Sequence, residues 1–170
     1  MKKIIFLVLL SFSTLAGQKE ALEAIQKTAM ALKKELQSAM KVSPVNAIEV
    51  CNTKAMPITK KYHSKGIEVG RVSLKNRNPN NTVKDWMKET IDAYESGSNK
   101  KGYSVVRISN NQSGIIKPIK TMPLCLNCHG SNIKPEVSAR INKLYPADKA
   151  TGYKTGDTRG YFWATFKTKE

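Results

Sequence analysis

Residues 125–129 read Cys-Leu-Asn-Cys-His, and this motif constrains the fold more than any other feature of the sequence. Two thiols at this spacing, followed at once by a histidine, form the attachment signature for c-type haem. Cys125 and Cys128 would add to the two vinyl groups on one edge of the porphyrin, and His129 would then lie beneath the ring, where its imidazole can bind iron. The motif therefore predicts a chain that folds around one covalently attached haem c.

Two other chemistries use closely spaced cysteines and compete with haem at this motif. A disulfide or thioredoxin-like redox pair between Cys125 and Cys128 needs a strand followed by a helix, whereas a Met-Pro dipeptide precedes the motif and a polar glycine loop follows it. A structural zinc site could use the three cysteines with His63 or His129, but such sites usually have a second close ligand pair and Cys51 stands alone. Haem is the preferred interpretation.

The N-terminus has the pattern of a secretory signal. Lys2 and Lys3 form a positive region, residues 4–15 are apolar, and small residues suited to cleavage follow. The apolar stretch is shorter than the roughly 20 residues of a membrane-spanning helix, so cleavage is favoured over a retained membrane anchor. We therefore expect a signal peptide over residues 1–16 and one haem-binding domain over residues 17–170. A periplasmic or otherwise exported location agrees with haem attachment, which takes place outside the cytoplasm.

The chain is strongly basic, with 29 Lys and Arg residues against 13 Asp and Glu and a formal net charge of +16. Its 170 residues, 40% hydrophobic, are typical of one globular domain rather than a disordered tail. Export and the lack of a basic recognition helix argue against nucleic acid as the partner. The charge instead favours an acidic redox partner protein, with peripheral association at an anionic membrane as an alternative.

Residues 18–41 show the periodicity of an amphipathic helix. The apolar positions recur at steps of three and four residues and are Leu22, Ile25, Ala29, Leu32, Leu36 and Met40. The stripe is expected to pack against the rest of the domain. Its near-heptad spacing also allows a dimer through residues 18–41.

A second helix is expected to begin at Ser43 and Pro44, which have the order of an N-cap and a first-turn proline. Cys51 falls on the apolar face of this helix and is expected to point inward. Pro57 should kink or interrupt the helix before it stops at Gly66.

The remaining sequence predicts strands interrupted by short helices. Thr82 and Asp85 resemble a capping box at the start of a helix, and Pro135 opens another helix that Pro146 ends. Strands are expected over residues 67–74, 103–109, 115–120 and 159–168, with turn residues at 110–114. This order predicts an α+β fold with a mostly antiparallel sheet and long N-terminal helices.

Attached haem leaves one iron position to be filled by a residue distant in sequence. Cys51 is the odd cysteine, and an unpaired thiol in an exported protein needs an explanation, although free cysteines are often small buried residues. His63 is the other histidine. The methionine candidates are Met30, Met40, Met56, Met87 and Met122. From these residues alone the ligand stays open between Cys51, His63 and a methionine, with histidine preferred.

Four runs in the chain closely resemble a family of single-haem c-type proteins, long catalogued as a domain of unknown function. They are residues 69–81 (VGRVSLKNRNPNN), 123–130 (PLCLNCHG), 145–153 (YPADKATGY) and 156–160 (GDTRG). The resemblance covers nearly all of the expected mature chain, in order, and it implies a PAS-like fold. It further implies iron ligation by the histidine of the attachment motif and by a cysteine on an early helix, which correspond to His129 and Cys51.

Arg71 and Arg77 flank the transition from a strand to a polar loop and are candidates to pair with the haem propionates. A solvated basic face is the competing interpretation, because surface lysines and arginines are common in this chain.

Cysteine thiolate as a ligand would favour ferric iron, because a ferrous centre would carry a net negative charge. We therefore expect a low-potential electron carrier and no enzymatic activity. A redox or gas sensor that exchanges its ligand at Cys51 is the alternative. An enzyme would need an open iron position, which Cys51 would fill.

Overall fold

The structure, a computed structural model, describes the backbone of residues 5–168 and the side chains of residues 15–168. Lys2, Lys3 and the side chains of the predicted signal peptide up to residue 14 lie outside the described residues. The α-helices are α1 Ile5–Val42, α2 Pro44–Lys61, α3 Lys88–Glu95, α4 Leu126–His129 and α5 Pro135–Leu144. The strands are β1 Ile67–Val72, β2 Ser104–Ser109, β3 Gln112–Lys120 and β4 Thr158–Lys167. The predicted α+β class with long N-terminal helices is confirmed.

The sheet has four strands in the order β1-β4-β3-β2, and all three pairings are antiparallel. The last strand of the chain therefore lies inside the sheet, and its side chains are buried on both faces. Tyr161 and Trp163 lie on one face, whereas Ala164 and Phe166 lie on the other. The hairpin turn is shorter than predicted, because β3 begins at Gln112 within the expected turn.

Helix α1 covers one face of the sheet. Its buried residues Ala21, Ala24 and Ile25 pack against Val69 of β1 and Phe166 of β4. The predicted stripe is only partly correct, since most of its leucines are half-buried and the small residues one step away make the close contact with the sheet. The predicted cleavage position falls inside α1, and both cleavage and dimerisation through this helix stay predictions.

Helix α2 begins where the sequence predicts but ends at Lys61, before the predicted stop at Gly66. Ser43 accepts a hydrogen bond from the backbone N–H of Asn46 at 3.0 Å, and Pro44 occupies the first turn. The expected interruption at Pro57 is wrong, because the helix continues through it to Lys61. Pro57 is exposed, so its ring meets solvent and the helix loses only one hydrogen bond. Gly66, with a φ of +84°, instead forms the turn into β1.

The predicted capping box before α3 is also wrong. Thr82 donates its hydroxyl to the Pro79 carbonyl at 2.8 Å, so it closes the preceding turn of 3-10 helix. A second 3-10 turn, Asp85–Met87, then leads into α3. Thr82 is six positions before Lys88, the first residue of α3, and cannot cap this helix, because an N-cap must directly precede the first helical residue.

Helices α2 and α5 form an apolar layer beside the attachment motif. Ile48 of α2 packs against Val137 and Ile141 of α5 and against Tyr145. Cys128 is half-buried against this same cluster. The two helices are also joined by an ion pair between Arg140 and Glu49, with a 2.7 Å N–O separation. No helix within residues 5–168 combines the length and apolar character needed to cross a bilayer.

Candidate functional site

The attachment motif forms a compact double turn. A 3-10 turn, Pro123–Cys125, runs directly into the single-turn helix α4, and α4 contacts α2. Cys125, Cys128 and Cys51 are all free thiols in this structure. Across the described residues, no three His, Cys, Asp or Glu side chains come together as a group that could hold a metal ion. The zinc alternative therefore lacks a ligand set in the part of the chain that is described.

One nitrogen of the His129 imidazole is held by the protein. Nδ1 lies 2.7 Å from the carbonyl oxygen of Ala150. Because a carbonyl only accepts, Nδ1 carries the hydrogen and donates it. Burial lowers the pKa of His129 well below its usual value, and the nearby Arg159 and Arg77 lower it further. The imidazole is therefore neutral at pH 7, with its Nε2 lone pair unprotonated, which is the form that binds a metal.

The backbone of the attachment motif is bonded to a later segment of the chain. The N–H of Tyr153 donates to the His129 carbonyl at 2.9 Å, and the N–H of Gly152 donates to the Gly130 carbonyl at 3.0 Å. The Tyr153 ring also meets the His129 ring edge to face, with centroids 6.3 Å apart. These contacts fix the histidine on both its backbone and its ring side.

Arg77 connects the attachment motif to the segment behind it. Its Nη2 donates to the Cys128 carbonyl at 2.6 Å and to the Asp148 carboxylate at 3.0 Å. Both side chains of this ion pair are almost fully buried, at 11% exposure for Arg77 and 5% for Asp148. The carboxylate that neutralises Arg77 thus belongs to the protein, and pairing of Arg77 with a propionate stays a prediction.

Arg71 differs from Arg77 in having no acidic partner. Within residues 15–168, no salt bridge includes Arg71. Strand alternation places it on the same sheet face as Val69, the face that α1 and α2 approach. There it lies close enough to Cys51 and Tyr145 to interact electrostatically, and desolvation lowers its pKa. Arg71 is therefore a half-buried charge without a carboxylate partner among residues 15–168.

Cys51 is exposed, so the prediction that its side chain points into the core is wrong. Ile48 and Ala55 on the same helix are buried, but Cys51 lies at the border of that apolar face. Burial by neighbouring groups nevertheless raises the pKa of Cys51, and Arg71 and Arg77 offset part of that rise. The thiol is therefore exposed but within electrostatic reach of two positive charges. Burial raises the pKa of Cys128, and the charge of a Cys51 thiolate would raise it further.

The other candidate ligands have different surroundings. His63 lies just beyond the end of α2, where its Nε2 is 2.9 Å from the Val69 carbonyl. The ten helical residues from Cys51 to the end of α2 separate these two candidates by roughly 15 Å along the helix axis. Met87 is fully buried in the core against Trp163, whereas Met30 and Met122 are exposed. Helix α2, which carries Cys51, contacts helix α4 of the attachment motif.

A comparison with protein-family models gives a match over residues 15–166, nearly the whole chain. The chain belongs to the Tll0287-like family. The α+β architecture described above is similar to that of a solved structure. That structure is titled "Crystal structure of the cyanobacterial heme-protein Tll0287" and superposes with a TM-score of 0.64. It is 22% identical to this chain, and the match covers 88% of this chain and 96% of that one. A comparison with curated proteins gives no match.

Two residues of this chain's site, Arg159 and Asp148, were not identified from the sequence. Arg159 is half-buried, its Nε has no hydrogen-bond partner, and its guanidinium stacks on Tyr153 at 5.4 Å. Asp148 pairs with Arg77 from 71 positions away. Both residues lie in runs that carry the family resemblance, which was a weak indication of a role at the site. The local sequence pattern distinguishes neither position.

Proposed function

We propose that this chain is an exported single-haem c-type protein that acts as a low-potential electron carrier. In this proposal Cys125 and Cys128 form thioether bonds, and His129 and Cys51 bind the iron. Each thiol adds its sulfur to one carbon of a vinyl group and its hydrogen to the other, so attachment needs no external oxidant. The related solved protein is a heme-protein by its title, which supports haem as the cofactor.

The observation that carries the proposal is the state of the His129 imidazole. Its Nδ1 is committed to the Ala150 carbonyl at 2.7 Å, so Nε2 is the nitrogen available to iron. A ligating histidine commonly donates its other ring N–H to a carbonyl or carboxylate, which fixes its tautomer and its orientation. A structural histidine would need neither the neutral form nor two thiols just before it in sequence.

The surroundings of the motif fit a haem in two further respects. The layer beside Cys128 is apolar, and its residues are Val45, Ile48, Ile133, Val137, Ile141 and Leu144. Arg71 and Arg159 carry positive charge without a carboxylate partner in the described residues. A flat macrocycle with an apolar body and two propionate carboxylates would supply both the apolar contact and the missing negative charge.

Cys51 would make the iron a low-potential centre. A haem, once bound, supplies a one-electron couple whose potential depends on the axial ligands. Thiolate adds a negative charge to the two of the porphyrin, so it favours the ferric state in a medium of low dielectric constant. Burial raises the pKa of Cys51, and the positive charges of Arg71 and Arg77 offset part of that rise. These charges support ligation by Cys51.

A sensor is the second candidate, and the exposure of Cys51 favours it. The thiol is open to solvent, and α2 does not bury it. A ligand held this loosely can leave the iron on reduction, which would open a coordination position to a small gas. The electron carrier keeps the same ligands in both oxidation states, so spectra of the oxidised, reduced and carbon-monoxide-treated protein separate the two functions.

For the partner and the location we keep the expectations from the sequence as part of the proposal. The net charge of +16 supports an acidic redox protein as the partner, with an anionic membrane surface as the alternative. The signal-like N-terminus supports export, and the family match begins at residue 15, close to the expected cleavage position. We propose no enzymatic activity for the site.

The test is a pyridine haemochrome assay on the full chain, expressed with c-type maturation and extracted with acidified acetone. The unsubstituted protein should retain one haem per chain, and Cys125→Ala/Cys128→Ala should retain none. Cys51→Ser should keep the haem but change the ferric spectrum, and Cys51→Met should raise the midpoint potential within the range of about 0.8 V that axial ligands span. His63→Ala is the matched control and should leave the spectrum unchanged. Extraction of all haem from the unsubstituted chain would refute the proposal.

A further inference from the structure

The buried ion pair between Arg77 and Asp148 lies behind the His129 imidazole, on the side of Nδ1. Its members are far apart in sequence, and each holds a different part of the site. Arg77 follows β1, whereas Asp148 follows α5. The pair therefore joins two segments that the local sequence does not bring together.

Asp148 uses its two carboxylate oxygens for different partners. Oδ2 accepts from Arg77 at 3.0 Å, and Oδ1 accepts from the backbone N–H of Ala150 at 2.9 Å. The carbonyl of this same Ala150 accepts from His129 Nδ1 at 2.7 Å. Asp148 thus holds the residue whose carbonyl orients the imidazole.

Arg77 completes the connection from the opposite direction. The same Nη2 that pairs with Asp148 donates to the Cys128 carbonyl at 2.6 Å and lies 3.4 Å from the Ala150 carbonyl. A guanidinium is suited to this arrangement, because its donors are fixed in one plane. The residue before the histidine and the acceptor of its Nδ1 hydrogen are therefore bound to one rigid group.

Burial makes this arrangement costly unless it is complete. A buried ion pair gives little net stability, since the loss of hydration offsets the attraction between the charges. Here both side chains are at least 89% buried by their exposures of 11% and 5%, and the pair donates to and accepts from backbone groups of the site itself. The neighbouring pair Arg140–Glu49 has the same chemistry but is more exposed, at 26% and 48%, and bonds no group of the motif.

We propose that Arg77 and Asp148 are positioning residues that set the rotation of the His129 imidazole through Ala150. The pair does not touch the iron in this proposal, and it acts by holding the Ala150 carbonyl and the Cys128 carbonyl at a fixed separation. The proposal rests on the proposed function in one respect, namely that Nε2 of His129 is an iron ligand.

The experiment uses full-length Asp148→Asn, Asp148→Ala and Arg77→Lys, with Glu49→Gln as the matched ion-pair control. In the haem-free chain, ¹⁵N NMR of the imidazole should show a single Nδ1–H tautomer in the unsubstituted protein and in Glu49→Gln. Asp148→Ala should give a mixture of tautomers. Asp148→Asn should have a smaller effect, because Asn can still accept from Ala150. Exchange of the Ala150 amide hydrogen should become about tenfold faster in Asp148→Ala, the change expected for loss of one charge-assisted hydrogen bond.

In the haem-loaded protein, the ferric electron paramagnetic resonance spectrum should change from one species to two in Asp148→Ala and Arg77→Lys. A purely stabilising role would lower the melting temperature of these variants yet leave the imidazole tautomer and the ferric spectrum as in Glu49→Gln, and this result would overturn the proposal. If the unsubstituted chain binds no haem, the proposed function fails, but the tautomer and exchange measurements still test whether the pair orients His129.

Discussion

Arg71 and Arg77 are expected to respond oppositely to the same substitution, although they lie six positions apart and face the same site. Replacement by Met keeps most of the side-chain length and removes the guanidinium. In Arg77→Met the Asp148 carboxylate, which is 5% exposed, loses its ion-pair partner. In Arg71→Met no protein carboxylate loses a partner, because none is paired with Arg71 in the described residues.

The magnitudes follow from these contacts. Removing one member of a buried ion pair costs about 3–5 kcal/mol in the free energy of unfolding. At about 2–4 °C per kcal/mol for a chain of this size, Arg77→Met should melt about 6–20 °C lower. Arg71→Met removes an uncompensated, partly desolvated charge, so the haem-free protein should be unchanged or more stable by up to about 3 kcal/mol. With haem bound the sign should reverse, since a charge-assisted hydrogen bond to a carboxylate contributes about 1.5–3 kcal/mol.

The assay is thermal unfolding followed by circular dichroism, on each variant in two backgrounds. The haem-free background is Cys125→Ala/Cys128→Ala, which lacks the thiols for attachment, and the loaded background is the unsubstituted motif. We expect Arg71→Met to lower the melting temperature only in the loaded background and Arg77→Met to lower it in both. If Arg71→Met destabilised the haem-free chain as much as Arg77→Met does, the reasoning that Arg71 is reserved for an external anion would be wrong.

Three further predictions concern the scaffold. In Gly70→Ala the new Cβ would lie 2.5 Å from the Trp163 indole, so the free energy of unfolding should fall by about 1–3 kcal/mol. Gly102→Ala is the control, because the space around this glycine is open, and it should change stability by less than about 1 kcal/mol. Urea denaturation compares the two variants. Burial, and then the hydrogen bond to Glu95, raise the pKa of Tyr161, so the folded state holds the phenol proton more tightly than the unfolded state does. The free energy of unfolding should therefore fall as the pH rises above about 10. Tyr161→Phe should reduce that fall, and an unchanged pH profile would contradict the assignment. Pro57→Ala should restore one hydrogen bond in α2 and increase the free energy of unfolding by up to about 3 kcal/mol, which raises the melting temperature. A lower melting temperature would show that the proline is needed there.

Secondary structure was predictable where the signal is local. The strand β4 alternates between two buried faces, as its sequence pattern indicates, and α5 begins at Pro135 and ends before Pro146 as expected. The failures at Pro57 and Thr82 have different causes. Pro57 faces solvent, which makes its missing hydrogen bond tolerable, and Thr82 bonds backward to Pro79.

The candidate site divides in the same way. Adjacency in sequence defines the attachment motif and the histidine that follows it, so Cys125, Cys128 and His129 could be named without a structure. Cys51 was one of several distant candidates in the sequence and was preferred through a family resemblance, and its exposure was not expected. Iron ligation by His129 and Cys51 stays a prediction.

By itself, the sequence determined which reactive side chains are neighbours, because the order of two thiols and an imidazole is a property of adjacent residues. It also determined the α+β class, since the periodicities of helices and strands are local. Only the tertiary structure decided how the two arginines differ. Asp148 reaches Arg77 across 71 positions, whereas Arg71 has no carboxylate partner in the described part of the chain, and no local pattern encodes which of two similar charges a distant carboxylate will meet. The physical reason is that the energy of a charge depends on the groups that surround it in space, and the tertiary fold determines those groups.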